Sequence, residues 1–314
     1  MRRLMIFRRK IFIFLFLNLL AGVFLAFWGW FYIPKIVAQV KNPIAGWFNP
    51  ALEEIKSPNF DKFELQGENF KFYTFDSLQI SGYHIPHEGV YKGTVIALHG
   101  YRSNKNKYLP IAKHFTRRGF DFVAIDLRGH NESQGEYTGF SYYERKDVLR
   151  LIEFLKEKYP HSGPFILYGH SVGASTAIAS SVLSQDVKMV ISESAFADFR
   201  DIVPHYLNYY AGVDWDNMAQ EGSRFVFEQL HIPEDSLNLV PVVQRLKIPV
   251  LYIHGEKDPK IPVTQTYKLY NNTASENKKL WIITGAKHID LATQYGEGYY
   301  DKITAFIEDN LLLN

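Results

Sequence analysis

Cysteine is absent from this chain of 314 residues. Its absence excludes disulfide bonds, a thiolate nucleophile, cysteine-based metal sites and a lipidated N-terminal cysteine. Acidic residues are absent before Glu53, so the small formal net charge of +2 arises from basic residues near the N-terminus. This charge balance indicates no nucleic-acid partner. Internal repeats and low-complexity segments are absent as well.

One long apolar run is present, over residues 11–33, and Asn18 is its only strongly polar residue. At about 1.5 Å per residue, a helix of this length spans roughly 35 Å, enough to cross the hydrocarbon core of a membrane. Basic residues precede the run and aromatic residues lie at its far end, as in single-pass membrane proteins. The basic residues are Arg2, Arg3, Arg8, Arg9 and Lys10, and the aromatic residues are Trp28, Trp30, Phe31 and Tyr32.

The sequence therefore predicts a cytoplasmic basic flank at 1–10 and an uncleaved transmembrane signal-anchor at 11–33. A cleaved signal peptide is the alternative, but no small-x-small cleavage site ends the run. By the positive-inside rule, the remainder of the chain is expected outside the cytoplasm, tethered to the cell membrane by this single helix.

A proline-punctuated juxtamembrane connector at 34–60 precedes a globular domain at 61–314. In that domain strand-like and helix-like segments alternate, which predicts an α/β fold with a mostly parallel sheet flanked by helices. The predicted strands are Phe70–Phe75, Leu78–His84, Thr94–Leu98, Asp121–Ile125, Phe165–Tyr168, Met189–Ser192, Val250–His254 and Lys279–Ile283. The predicted helices are Tyr108–Arg118, a helix that runs from a capping box of Ser141 and Glu144 to Tyr159, Val240–Lys247 and Tyr299–Leu312.

The segment at about 195–239 is longer than a single crossover needs and is rich in aromatic residues. Insertions that follow the C-terminal ends of strands lie where α/β proteins bind ligands. We therefore expect a helical lid over the active edge of the sheet, with an insertion of no functional role as the alternative.

The stretch Phe165–Ala177 reads as strand, sharp turn and helix, with Ser171 at the apex of Gly-His-Ser-Val-Gly. In such an elbow the incoming strand and the outgoing helix approach closely, so Gly169 and Gly173 are required to lack side chains. The turn exposes the serine hydroxyl at the end of the strand, and the N–H of Val172 points toward a developing oxyanion.

A serine nucleophile needs a base, and the base needs an orienting carboxylate, in the chain order serine, acid, histidine. Asp258 and His288 follow the last two predicted strands and fit these roles. Asp198 is the main alternative acid, and Glu256 and Glu193 also lie near strand ends. His254, His130 and His170 are interpreted as supporting residues, and the N–H of Tyr101 is expected to complete the oxyanion hole with Val172.

Five motifs in this order resemble those of the α/β-hydrolase superfamily over about residues 70–313: His-Gly-Tyr, Asp-Leu-Arg-Gly-His, Gly-His-Ser-Val-Gly, His-Gly-Glu-Lys-Asp-Pro and Gly-Ala-Lys-His. The chain most resembles membrane-anchored serine hydrolases of the α/β-hydrolase-domain type, which are similar to the catalytic domains of serine aminopeptidases and prolyl oligopeptidases. One departure is Asn131, where many relatives have glycine. Asparagine tolerates a positive φ, so the loop is expected to keep its shape.

The resemblance implies a serine hydrolase that cleaves carboxylic esters or thioesters through an acyl-enzyme, without metal or organic cofactor. A small-molecule or lipid-like acyl substrate is expected, and the oligomeric state is left open. A serine peptidase or aminopeptidase of the same fold is the first alternative. A catalytically silent, membrane-tethered binding module is the second.

Overall fold

The computed structural model describes residues 15–24, 39–41, 57–211, 223–224, 226–288, 291–296 and 298–311. Within them, eight strands form one sheet in the order β1-β2-β4-β3-β5-β6-β7-β8. The strands are β1 (Glu68–Tyr73), β2 (Gln79–Ile85), β3 (Gly93–Leu98), β4 (Phe120–Ile125), β5 (Phe165–His170), β6 (Val187–Glu193), β7 (Val250–Gly255) and β8 (Lys278–Ile283). β2 runs antiparallel to β1 and to β4, so the other seven described strands run in one direction and share one C-terminal edge.

Helices cover both faces of this sheet. They are α1 (Leu109–Thr116), α2 (Glu144–Lys158), α3 (Val172–Ser181), α4 (Phe199–Ala211), α5 (Val240–Val243), α6 (Val263–Asn272), α7 (Leu291–Tyr295) and α8 (Tyr299–Leu311). Three short 3-10 helices lie at Asp61–Phe63, Lys105–Tyr108 and Glu234–Leu237.

The core consists of two layers, one on each face of the sheet. Along β3, Ile96 and Leu98 face the layer under α2 and α3, whereas Val95 and Ala97 face the layer under α1 and α8. Successive side chains of a strand point to opposite faces, and every residue of β3 is buried because both faces are covered. The rigid central strands therefore hold the C-terminal edge in a fixed position.

The predicted strands and the mostly parallel sheet are confirmed to within a few residues at each end. Two predictions about helices need correction. α5 has only four residues and does not reach Lys247. The capping box of α2 is half formed: the Glu144 carboxylate accepts the N–H of Ser141, but the Ser141 hydroxyl has no partner. α6 and α7 are not among the predicted helices.

The insertion at about 195–239 leaves the sheet after β6 and returns at the same place. Asp198 pairs with Asn238 in an isolated bridge, and the N–H of Leu239 donates to the carbonyl of Ala197. Between these ends the structure describes α4, helical residues at 223–224 and 226–229, and the 3-10 helix Glu234–Leu237. The described part of the insertion is therefore helical and closed at its base.

The predicted membrane-spanning run at 11–33 overlaps the described residues only over 15–24, which are helical. The remainder of the run and the basic flank at 1–10 lie outside the described residues. Among the residues that the structure describes, no helix is both long enough and apolar enough to cross a membrane, so the predicted span is not supported. In the connector, Val40 is buried, and its N–H donates to the carbonyl of Glu136.

A buried ion cluster fixes the loop that follows β4. The Lys105 ammonium, fully buried, lies 2.5 Å from Asp126 Oδ2 and 2.5 Å from Glu132 Oε2, and it donates to Ser81 Oγ. Asn131 has a φ of 40°, as its position in the loop predicts, and its amide donates to Asp126. The cluster joins β2, β4 and the segment after β3.

We expect Lys105→Met to lower the free energy of unfolding by about 3–5 kcal/mol, because it leaves a buried carboxylate without its cation. Urea denaturation followed by circular dichroism measures this change. Lys92→Met, which removes an exposed pair with Glu308, is the control, with an expected change of about 0.5 kcal/mol or less. Equal losses in the two variants would contradict the assigned role of the cluster.

Candidate active site

Ser171 lies at the sharp turn between β5 and α3. Its backbone has φ 56° and ψ −122°, a conformation that non-glycine residues rarely adopt. The N–H of Ser171 donates to the carbonyl of Glu193 at the end of β6, which holds the strained residue in place. The strain directs the side chain away from the strand and toward the C-terminal edge of the sheet.

The two elbow glycines are required by backbone crowding. A Cβ at Gly169 would lie 2.2 Å from the carbonyl oxygen of Gly173, as the predicted strand–helix approach demands. A Cβ at Gly173 would lie 2.0 Å from the carbonyl oxygen of Leu98. The second glycine therefore serves the contact of α3 with β3, a neighbour that the local sequence pattern does not reveal.

The structure brings Ser171, His288 and Asp258 together, although 117 residues separate the first two in sequence. His288 Nε2 lies 3.0 Å from Ser171 Oγ, and His288 Nδ1 lies 2.5 Å from Asp258 Oδ2. Because Nδ1 faces a carboxylate, it carries the proton, and Nε2 is left to accept the hydrogen of the serine hydroxyl. All three residues are buried.

The carboxylate of Asp258 is held by several donors. Its Oδ1 accepts the N–H groups of Lys260 and Ile261, each at 2.9 Å, and its Oδ2 faces both His288 and His254. Burial by itself would raise the pKa of Asp258, but hydrogen bonds from His254 and His288 outweigh this effect and hold the pKa well below its usual range. Asp258 therefore remains ionised.

Burial has the larger effect on the pKa of His288. It lowers that pKa below the ordinary imidazole value, and the hydrogen bond to Asp258 offsets part of the decrease. The neutral form of the ring, which can accept a proton at Nε2, is therefore favoured at neutral pH.

The other acids near strand ends have partners elsewhere. Asp198 pairs with Arg200, Glu256 accepts the N–H of Gly285, and Glu193 accepts the hydroxyl of Tyr168. Asp258 is the acid in contact with His288.

The loop of His99, Gly100 and Tyr101 lies beside the serine. A Cβ at Gly100 would be 3.1 Å from Ser171 Cβ, so Tyr101 follows at the position next to the nucleophile. Val172, the other predicted oxyanion donor, begins α3, and the first N–H groups of a helix have no acceptor within it. His130 supports the Tyr101 loop, because its Nε2 accepts the N–H of Arg102.

Apolar side chains surround the site on the side of Val172. We call this group the aromatic cluster; its main members are Phe140, Val172, Phe196, Phe199, Phe227 and Ile261. The rings of Phe140 and Phe199 have centroids 4.4 Å apart, and Tyr101 packs against Phe140. Parts of the insertion therefore cover the edge of the sheet where Ser171 lies.

Phe140 occupies its place through a strained loop that the sequence did not reveal. Phe140 and Ser141 both have a positive φ, of 49° and 94°, although neither is glycine. The buried carboxylate of Glu144 accepts hydrogen bonds from the Thr138 hydroxyl and from the N–H groups of Gly139 and Ser141, which holds the loop in this shape. In the sequence, the only indication of this loop was the predicted capping box of Ser141 and Glu144, of which the structure forms one half.

Metal ligation has no candidate in the part of the chain that the structure describes, where no group of three or more histidine, aspartate or glutamate side chains could hold an ion.

Proteins that are similar to this chain in sequence and in structure are known. The sequence profile of the family described as serine aminopeptidase, S33, matches residues 89–237. The chain is 27% identical over 255 residues to the uncharacterized protein YqkD of Bacillus subtilis (strain 168). This alignment covers 80% of this chain and 82% of YqkD. It is 25% identical over 198 residues to the lysophosphatidylserine lipase ABHD12 of Xenopus tropicalis, over 57% of this chain and 46% of the lipase.

Among solved structures, the esterase Pf2001 of Pyrococcus furiosus is similar with a TM-score of 0.68 at 22% identity, over 82% of this chain and 97% of the esterase. The sheet order, the single antiparallel strand and the serine elbow define the α/β-hydrolase fold. The family profile, the relatives and the fold support membership of the α/β-hydrolase superfamily, as the five motifs predict.

We expect His288 to titrate below the ordinary imidazole value of about 6.5, because burial disfavours its charged form. NMR titration of the histidine ring protons measures this pKa, with the His288→Gln variant identifying the resonance. Asp258→Asn should lower the pKa further, because it removes the carboxylate that stabilises the imidazolium. A titration at or above the ordinary value in the unsubstituted protein would contradict the described environment.

Proposed function

We propose that the protein is a serine hydrolase that cleaves carboxylic esters or thioesters, with Ser171 as nucleophile, His288 as general base and acid, and Asp258 as the orienting carboxylate. The supporting observation is the unbroken hydrogen-bonded series from Ser171 Oγ through His288 to Asp258 at the strained elbow. Superfamily membership and the likeness to an esterase agree with this reaction.

The geometry suggests a route for the reaction. Ser171 Oγ attacks the carbonyl carbon of the substrate while His288 Nε2 takes the hydroxyl proton, and the N–H groups of Val172 and Tyr101 stabilise the oxyanion. The imidazolium then protonates the leaving alcohol or thiol, which leaves an acyl-enzyme. A water molecule, deprotonated by His288, cleaves this ester and restores Ser171. No metal or organic cofactor takes part in these steps.

The aromatic cluster favours a substrate with an apolar acyl group. A substrate carbonyl between Val172 and Tyr101 places its acyl chain against Phe140 and Phe199, which are buried and apolar. The insertion then acts as a lid, since it contributes Phe199 and is closed at its base. The relative ABHD12 is a lysophosphatidylserine lipase, and this similarity favours a lipid-like acyl ester among such substrates.

A serine aminopeptidase is the second candidate, favoured by the match of the S33 profile. Its leaving group would be an amine rather than an alcohol or thiol. Comparing kcat/KM for aminoacyl p-nitroanilides with kcat/KM for p-nitrophenyl acyl esters distinguishes the two functions, and a higher value on the anilides would favour the peptidase.

We expect Ser171→Ala to lower the turnover of a p-nitrophenyl ester by about a millionfold, because the triad acts as a unit. The rate of p-nitrophenol release, followed by its absorbance, measures this loss. Ser181→Ala is the matched control. Ser181 is the last residue of α3, the helix that Ser171 precedes, and its hydroxyl donates to the carbonyl of Ile178 within that helix. The substitution should leave the rate unchanged. Undiminished hydrolysis by Ser171→Ala would refute the proposal.

We expect Phe140→Ala to shift the preference toward longer acyl chains, because it removes the ring that packs against Phe199. Two further buried methylenes contribute roughly 1.6 kcal/mol, which is more than tenfold in kcat/KM. The ratio of kcat/KM for hexanoyl and butyryl esters measures the shift. Phe154→Ala, on the far part of α2 against Phe70 and Phe72, is the control. An unchanged ratio in Phe140→Ala would show that the cluster does not line the acyl site.

A further inference from the structure

His254 lies at the end of β7, fully buried, and contacts the carboxylate that faces His288. Its Nε2 is 2.9 Å from the carbonyl oxygen of Ile261 and 3.2 Å from Asp258 Oδ2. Because both neighbours are acceptors, Nε2 carries a proton. On the other side of the ring, Nδ1 lies 2.6 Å from the hydroxyl of Thr266, which can donate to it when the ring is neutral.

One carboxylate oxygen therefore faces the N–H groups of two imidazoles, at 2.5 Å from His288 and 3.2 Å from His254. Asp258 Oδ2 lies between His254 and His288, while Oδ1 is held by backbone N–H groups. The backbone donors contact Oδ1 only, so the position of Oδ2 depends on side-chain donors. The His254 proton fixes Oδ2 in the position from which it reaches His288 Nδ1.

The same side chain also secures the loop that carries Asp258. By donating to the carbonyl of Ile261, His254 joins the end of β7 to the start of α6, and Thr266 holds the ring from within α6. A series of polar contacts thus continues from Ser171 and His288 through Asp258 to His254 and Thr266.

We propose that His254 is a positioning residue for the triad: it orients the Asp258 carboxylate toward His288 and thereby determines the rate of the chemical step. The inference rests on the proposed serine-hydrolase function. A residue that merely filled the core would affect stability but not the turnover of correctly folded protein.

Two substitutions of similar polarity separate these roles. In His254→Gln, the amide nitrogen reaches the position of the histidine Nε2 and can still donate to Asp258. In His254→Asn, the amide ends near the position of Nδ1, so it can contact Thr266 but not the carboxylate. Both variants place an amide in the same cavity, and only one of them keeps the donor.

We expect His254→Asn to lower kcat for a butyryl ester by about tenfold or more with KM within about twofold, and His254→Gln to retain kcat within about threefold. The acid limb of the kcat–pH profile should lie at lower pH in His254→Asn than in His254→Gln. Both variants lack the second imidazole, and only in His254→Asn does a weakened bond between His288 and Asp258 lower the pKa of His288. Rates are divided by the concentration of sites titrated with a fluorophosphonate, so that unfolded protein does not contribute.

His84→Asn is the control for a buried histidine. His84 bonds to Asp121 at the start of β4, on the edge of the sheet opposite Ser171. It should lower the thermal midpoint without changing kcat per titrated site. Equal kcat values and pH profiles for His254→Gln and His254→Asn would overturn the inference. An unsubstituted protein that neither hydrolyses esters nor reacts with the fluorophosphonate would instead overturn the proposed function.

Discussion

The close approach of β3, β5 and α3 at Ser171 is the constraint on which the rest of the site depends. Backbone atoms of Leu98 and Gly173 lie where side chains at Gly173 and Gly169 would have to be, so no other residue fits these two positions. The contact forces Ser171 into its positive φ, and a bond to the end of β6 holds it there. The fold thus stores local strain in order to present one hydroxyl at the C-terminal edge of the sheet.

The segments that surround this hydroxyl come from the same edge of the sheet. Asp258 and His288 follow β7 and β8, the Tyr101 loop follows β3, and the insertion follows β6. Parallel strands end at a common edge, so loops far apart in sequence meet without any long-range adjustment of the core. Several polar groups near this edge have buried partners: Lys105 pairs with Asp126, and the Glu144 carboxylate accepts N–H groups of the loop that carries Phe140. The apolar side chains of the aromatic cluster lie beside Val172, the residue after Ser171.

The sequence was sufficient to predict the sheet, the elbow and the residues that meet at it, because each carries a local signal: alternation of strands and helices, glycines two residues either side of Ser171, and polar residues directly after strands. Other features depend on contacts that local patterns do not encode. The sequence around Phe140 does not predict its left-handed backbone, because that conformation depends on hydrogen bonds to the Glu144 carboxylate in α2. The length of α5 and the shared bond of His254 depend on packing between distant segments. The apolar run at 11–33 is a strong local pattern, but the structure describes only its residues 15–24, and the described residues include no membrane-spanning helix.

The proposed function requires that His288 and Asp258 make Ser171 reactive in the folded protein. Treating the folded full-length chain with a fluorophosphonate and identifying the modified peptide by mass spectrometry tests it most directly. We predict a single stoichiometric adduct on Ser171, formed much faster than in His288→Gln, because the neutral imidazole removes the hydroxyl proton. Absence of an adduct, or modification of another serine at the same rate, would contradict the account.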